Sequence, residues 1–211
     1  MATPISIVLI LTISCLLVST LDVYARKQAS SDVAEEATSF LHDICGGREK
    51  VMKLQLYVQD LRIGHPNATV VEVAKAAGVT DNSPYQFGSV HVLDDLVTEG
   101  PSINSRKLGR IQGLTTNADL STFGIAMNLN FFFTEGWYAG STLSILGRNQ
   151  VMDSQRELPV VGGTGVFRYA RGYAIQTSYS FDPATNYAVL EYNIYTTYNA
   201  RFNEDVEIAR M

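Results

Sequence analysis

The sequence predicts an all-β domain, an antiparallel barrel or sandwich built of eight or nine short strands. Three observations carry that reading. Apolar residues alternate with polar ones along most of the chain from Lys53 onward, which is the period of a strand with one buried face. Eleven Tyr and nine Phe supply residues that suit pleated surfaces, and sixteen Gly against six Pro supply tight turns. Links between the alternating stretches are short and no internal repeat is present, which fits a closed or sandwiched antiparallel sheet.

Residues 1–25 stand outside that domain. Ile5 to Leu21 is apolar and uncharged, Val23-Tyr24-Ala25 ends in a small residue, and Arg26-Lys27 follow. This is the pattern of a secretory signal peptide cleaved after Ala25. The stretch is shorter than the ~20 apolar residues that a span requires and is interrupted by Ser and Thr, so no membrane anchor is expected. Localisation is then extracellular. Cleavage removes Cys15 and leaves Cys45 alone, unable to form an internal disulfide and either buried, free or paired between chains. Asn67-Ala68-Thr69 is the only glycosylation sequon, and it follows His65-Pro66 in an expected loop.

Within 26–52, an N-terminal extension, Val33, Ala37, Phe40, Leu41 and Ile44 recur at helical spacing over 31–44. Asp32 and Glu35 resemble a capping box, and Gly46-Gly47 end the helix. The barrel domain is expected over 53–198. Its first strand puts Leu54, Leu56, Val58 and Asp60 on one side. Residues 87–95 and 107–114 read as strands. The clearest strand is 122–134, with Phe123, Ile125, Met127, Leu129, Phe131 and Phe133 on one face. Gly136 opens a turn into 137–148, Gly162-Gly163-Thr164-Gly165 turns the chain into 166–181, and 187–198 is last. A charged tail covers 199–211.

Composition and motifs exclude several chemistries. The 16 basic and 21 acidic residues give a net charge of −5, and no basic run exceeds two residues, so no nucleic-acid partner is expected. No two of His42, His65, His91 and Cys45 have metal-ligand spacing, so no metal is expected. No Gly-x-Ser-x-Gly elbow occurs, and Gly163-Thr164-Gly165 lacks the rest of a dinucleotide fingerprint, so no cofactor is expected. What remains is a polar set in phase with apolar strand faces. Asp60 on an apolar barrel wall would have a raised pKa and could move protons near neutral pH. Asp94 is in phase with Val90 and Val92, although Asp95 and Thr98-Glu99-Gly100-Pro101 suggest a loop cap instead. Arg156 and Glu157 point to opposite faces. Arg168 and Arg171 read as surface or structural groups.

At these residues the chain resembles the plant dirigent proteins. The resemblance runs from about Lys53 to Tyr198. It is carried by Leu56-Tyr57-Val58-Gln59-Asp60, Phe87-Gly88-Ser89-Val90, Leu93-Asp94-Asp95 and Leu108-Gly109-Arg110-Ile111-Gln112-Gly113. Gly140-Ser141-Thr142-Leu143, Leu146-Gly147-Arg148-Asn149 and Arg156-Glu157-Leu158-Pro159-Val160-Val161-Gly162-Gly163-Thr164-Gly165 continue it, with Phe167 to Ala174 and Glu191 to Tyr195. The resemblance implies an eight-stranded antiparallel β-barrel, a homotrimer or homodimer, and a cavity for phenylpropanoid radicals or quinone methides. It implies stereoselective coupling of phenoxy radicals, with coniferyl alcohol oxidised by a separate laccase or peroxidase to give lignan-type products. Other branches close a pterocarpan ring by dehydration through a quinone methide, and a third reading is a cell-wall or defence protein without turnover. Carried over residue by residue, the cavity aspartate is Asp60 and the cavity arginine Arg156. Asn149 stands where lignan-directing members have a second aspartate, Thr115 near a cavity tyrosine, and Ser178 near a cavity threonine. Gln59 stands where the family usually has His.

Overall fold

The computed structural model describes residues 49–199. The expected signal peptide, Cys45, the expected helix over 31–44 and the charged tail beyond Asn199 lie outside the described residues.

Nine strands follow in chain order: β1 (Glu49–Leu61), β2 (Val70–Ala74), β3 (Val90–Thr98), β4 (Lys107–Asn117), β5 (Gly124–Phe133), β6 (Thr142–Gln150), β7 (Arg156–Thr164), β8 (Gly172–Asp182) and β9 (Tyr187–Asn199). They form one antiparallel sheet in the order β1-β9-β8-β7-β6-β5-β4-β3-β2. Pairing of β1 with β3, Tyr57 opposite Thr98 through Gln59 opposite Leu96, closes eight of them into a barrel. The ninth, β2, lies along the rest of β3.

The closing seam is short, and Gln59 reinforces it. Its side chain is 1% exposed. Nε2 donates to Thr98 Oγ1 at 2.7 Å, and the Tyr187 hydroxyl donates to Oε1. One amide thus ties β1 to β3 and β9 with both ends satisfied, which is the condition for burying it without penalty.

Alternation sets the interior. Leu54, Leu56 and Val58 of β1, Leu129, Phe131 and Phe133 of β5, and Tyr192 and Ile194 of β9 point inward and are buried. One end of the barrel is filled by an aromatic plug. Phe133 packs on Tyr138 with centroids 4.7 Å apart and on Phe167 at 5.5 Å, and Phe131 meets Tyr192 edge-on at 5.4 Å. Each such fully buried side chain contributes ~1.5–3 kcal/mol. The other end is lined by smaller and polar residues and stays open.

Several expected boundaries move. β1 already begins at Glu49. Residues 134–141 form a turn, so β6 starts at Thr142 and not at 137. Gly162 and Gly163 lie within β7, opposite Ser144 and Leu143, and a 3-10 turn (Gly165–Phe167) precedes β8 at Gly172. β2 had no separate expectation. Phe123 lies just before β5, 39% exposed, against Tyr85 at 5.2 Å.

The Leu108-to-Gly113 motif has a steric cause. A Cβ on Gly113 would sit 2.0 Å from the Asn128 carbonyl oxygen of β5, at a φ of +151°. Gly113→Ala must push two paired strands apart. Such overpacking costs ~1–3 kcal/mol. For a domain of this size that is roughly 2–12 °C in melting temperature, read by calorimetry.

Candidate functional site

The unfilled end of the barrel is a cavity of about 600 Å³, within the range of small-molecule sites. Its floor is Tyr192, Leu129 and Ile111; its walls include Val58, Leu93, Met127 and Leu190. Polar groups divide between two sides. Asp60 of β1 and Asp95 of β3 form an acidic wall. Asn149 of β6, Arg156 of β7 and Gln176 of β8 form a wall of donors.

Strand phase delivers Asp60 as the sequence predicts, because β1 runs on to Leu61. Asp60 is 8% exposed. Arg62 Nε donates to its Oδ2 at 2.8 Å, and Oδ1 is buried without a hydrogen-bond partner. Burial pushes its pKa up, and Arg62 opposes that shift. The loop cap expected around Asp94 is not formed, because Asp94 and Asp95 both lie within β3, which runs to Thr98. Register places Leu93 opposite Gly113, Asp95 opposite Ile111 and Val97 opposite Gly109, all toward the interior. Asp95 is therefore the inward carboxylate. Asp94 faces outward, where Arg110 Nε donates to it. The Thr69 hydroxyl donates to Asp95 Oδ1. Burial, and then the charge of Asp60, push the Asp95 pKa up to about 7.

The donor wall is a connected chain. Asn149 Nδ2 donates to Gln176 Oε1 at 2.6 Å, and Gln176 Nε2 donates to Tyr192 Oη at 2.8 Å. Asn149 Oδ1 is buried and unpartnered. Burial raises the Tyr192 pKa, so its phenol stays neutral. Arg156 is 6% exposed, against the usual solvated place of a strand arginine. It donates to Val151 O at 3.1 Å, to Gln176 O at 3.4 Å and to Ser178 Oγ at 3.0 Å. All three acceptors are neutral, and among the described residues no carboxylate is hydrogen-bonded to it; Asp153 acts on it only through space. Desolvation lowers its pKa accordingly.

Thr115 is buried on β4 and lines the cavity, as does Asn149. Ser178 differs from expectation. It is exposed, stands next to a bulge of β8, is outside the cavity lining, and reaches the site only by accepting from Arg156. Asn67 is exposed in the loop between β1 and β2. Asp95, Gln176 and Tyr192 were missed. Gln176 shares a phase with buried Ala174, and Tyr192 with Leu190 and Ile194, which is the available signal.

The carboxyl shifts fix a pH dependence. A folded pKa of about 7 against 3.8 means the folded state holds a proton that the unfolded state has released, so stability falls as pH rises through that window. Raised Asp60 acts with the same sign. Asp119 and Asp182 are lowered, chiefly by bonds from Arg148 and Thr185, and their contribution is lost below 3.8. Melting temperature should peak near about pH 4–5 and decline toward pH 8. Asp95→Asn should flatten the decline.

A family model described as "Dirigent-like protein" matches residues 51–197. Dirigent protein 11 of Arabidopsis thaliana is 39% identical over 196 residues, 92% of this chain and 95% of the relative. Pterocarpan synthase 1 of Glycyrrhiza echinata is 41% identical over 148 residues, 70% of this chain and 78% of the relative. Among solved structures, the pterocarpan synthase dirigent protein GePTS1 aligns with a TM-score of 0.65 and 40% identity, covering 72% of this chain and 92% of that one.

Proposed function

The chain belongs to the dirigent-like family, and on that basis we propose that its cavity binds phenylpropanoid radicals or quinone methides and imposes stereoselectivity on their reaction. One observation carries the reading: a single apolar cavity sets two carboxyls against an arginine bonded only to neutral acceptors and an amide–phenol chain. That arrangement can hold a phenolic oxygen at one side and a reacting carbon over the apolar floor. Phenoxy radicals couple readily once formed, so orientation alone suffices for selectivity. A separate laccase or peroxidase supplies the radicals, and the products are of lignan type.

A second reading is dehydration and ring closure through a quinone methide. Two raised carboxyls favour it, because that reaction needs both a proton donor and an acceptor. The 40% identity to a solved pterocarpan synthase supports it as well. Incubation with coniferyl alcohol plus an oxidase, and separately with an isoflavanol, followed by chiral chromatography, tests both. Racemic lignan and unconsumed isoflavanol would reject both.

We also propose a secreted, glycosylated homo-oligomer, a trimer or dimer, without a membrane anchor. Outward on β3, β4 and β6, register puts Val92, Leu114 and Leu146 in one row, 38%, 42% and 51% exposed. Exposed apolar surface of this kind marks a contact between proteins. Light scattering at micromolar concentration under reducing conditions should give a multiple of the monomer mass. Mass spectrometry of secreted protein should show an amino terminus near Arg26 and a glycan at Asn67. A clean monomer, or an intact Met1, would count against these readings.

A further inference from the structure

We propose that the outward pair Tyr173 and Tyr195 is a site of oxidative cross-linking, where a one-electron oxidant joins the two rings carbon to carbon and staples β8 to β9. The site lies outside the cavity, and the link does not depend on what the cavity binds.

The pair follows from register. Tyr173 stands directly opposite Tyr195 across β8 and β9, and Lys53 of β1 stands opposite Tyr195 on its other side. All three point outward, because their neighbours Leu54, Ala174 and Ile194 point inward and are buried. The two rings are stacked, with centroids 5.1 Å apart and planes 24° apart. Lys53 Nζ sits over the Tyr195 ring, 5.5 Å from its centroid. Tyr195 is thus flanked by a phenol on one strand and an ammonium on the other. Tyr173 is exposed and Tyr195 half-buried, so an oxidant reaches the pair through Tyr173. By strand order the pair stands on the side of the barrel opposite Val92, Leu114 and Leu146, and association through that row leaves it open.

Ring geometry decides which phenols combine. The unpaired electron of a phenoxyl radical lies in the π system, largest on the oxygen and on the ring carbons ortho and para to it. In tyrosine the para carbon carries Cβ, so the ortho carbons react. Their orbitals stand perpendicular to the ring planes, and rings lying face over face overlap them. Tyr57 and Tyr179, 5.6 Å apart, meet at 87°, edge against face, and lack that overlap. The oxidant is of the class that the proposed function already calls for, a peroxidase or laccase. Each phenol gives one electron to it and its hydroxyl proton to water. The two radicals share their unpaired electrons in a new bond between ortho carbons. Each of those carbons then loses its hydrogen as a proton while a proton returns to its oxygen, which restores both phenols. Two electrons and two protons leave in all, and hydrogen peroxide takes them up as two molecules of water. Oxidation that lands on this face then ends in a bond within the chain. The link closes the β8–β9 hairpin covalently, which restricts the unfolded chain and stabilises the barrel.

Treatment of the purified protein with a plant peroxidase and hydrogen peroxide tests the site. Dityrosine fluorescence should appear while the chain stays single on a denaturing gel. Trypsin leaves both rings on one peptide, 172–201, and cutting that peptide after Glu191 should leave two pieces still joined and lacking two hydrogens. The melting temperature of the oxidised protein should rise by several degrees. Tyr173→Phe and Tyr195→Phe keep the stacked ring and remove the hydroxyl. Each should abolish the fluorescence, with the melting temperature before oxidation unchanged. No dityrosine in the wild type, a link mapped to Tyr57 and Tyr179, a link between chains, or undiminished fluorescence in either variant would overturn the proposal. No phenolic substrate is added, so the result stands apart from whether the cavity directs coupling.

Discussion

Asp60→Asn should collapse stereoselectivity, or dehydration where an isoflavanol is the substrate, at a melting temperature no lower than wild type. The side chains have similar volume, so the packing of Val58 and Leu190 around the site is retained. The amide oxygen can still accept from Arg62, and the amide nitrogen takes the place of an oxygen that had no partner. Burial disfavours the carboxylate, so removing its charge relieves a desolvation cost. What is lost is a carboxylate able to take a proton, and with it the charge-assisted hydrogen bond that the proposed phenolic substrate would make to it, ~1.5–3 kcal/mol. A loss of ~1.4 kcal/mol already reduces a product ratio tenfold. Product enantiomeric excess and thermal melting, measured on one preparation, check both halves. Wild-type selectivity in this variant would remove Asp60 from the site.

Arg156→Leu should have an effect at least as large on reaction and a small one on folding. The guanidinium is buried, bonded only to neutral oxygens, and aimed at the cavity. A positive charge fixed in a water-poor site stabilises a developing phenolate or quinone-methide oxygen far better than one in water. Removing one such donor typically costs ~2.7–4 kcal/mol, about 10²–10³ in rate. The structural loss is smaller. Leu fills the stem volume, Ser178 is exposed and can turn to water, and the desolvation penalty on the arginine disappears. Arg156→Lys should restore part of the rate, since it returns the charge but not the three-way geometry. Single-turnover rates with melting curves for both variants check this. Equal rates in Arg156→Leu and wild type would leave the residue a structural tie between β7 and β8.

Much of the barrel was legible in the sequence because its strands have one apolar and one polar face. β1, β5 and β9 alternate cleanly, and the phase that buries Leu54, Leu56 and Val58 also buries Asp60. β3 defeated the same argument for a physical reason. Val90 and Val92 make its outer face apolar too, so alternation offers two interiors and does not choose between them. Only pairing with β4 decides that Asp95, and not Asp94, points inward. The glycines misled in another way. Gly162-Gly163 reads as a hairpin turn, yet Gly163 is in the ladder because a Cβ there would lie 2.3 Å from the Thr142 carbonyl oxygen. Glycine was required by close approach of backbones, which composition does not distinguish from a turn. Ser178 keeps the phase of Ala174 and Gln176, opposite Leu190, but stands on the exposed stretch of β8, so phase alone overstates its reach into the cavity.

Thr69 has two readers. In the sequence it completes the motif Asn67-Ala68-Thr69, at which the proposed glycan would be attached. In the folded chain its hydroxyl is withdrawn from solvent to hold Asp95. A substitution at Thr69 made to remove the proposed glycan would therefore also strip a carboxyl of its partner, and its effect could not be assigned to the sugar. Asn67, exposed and two residues away, is the position at which the two effects come apart.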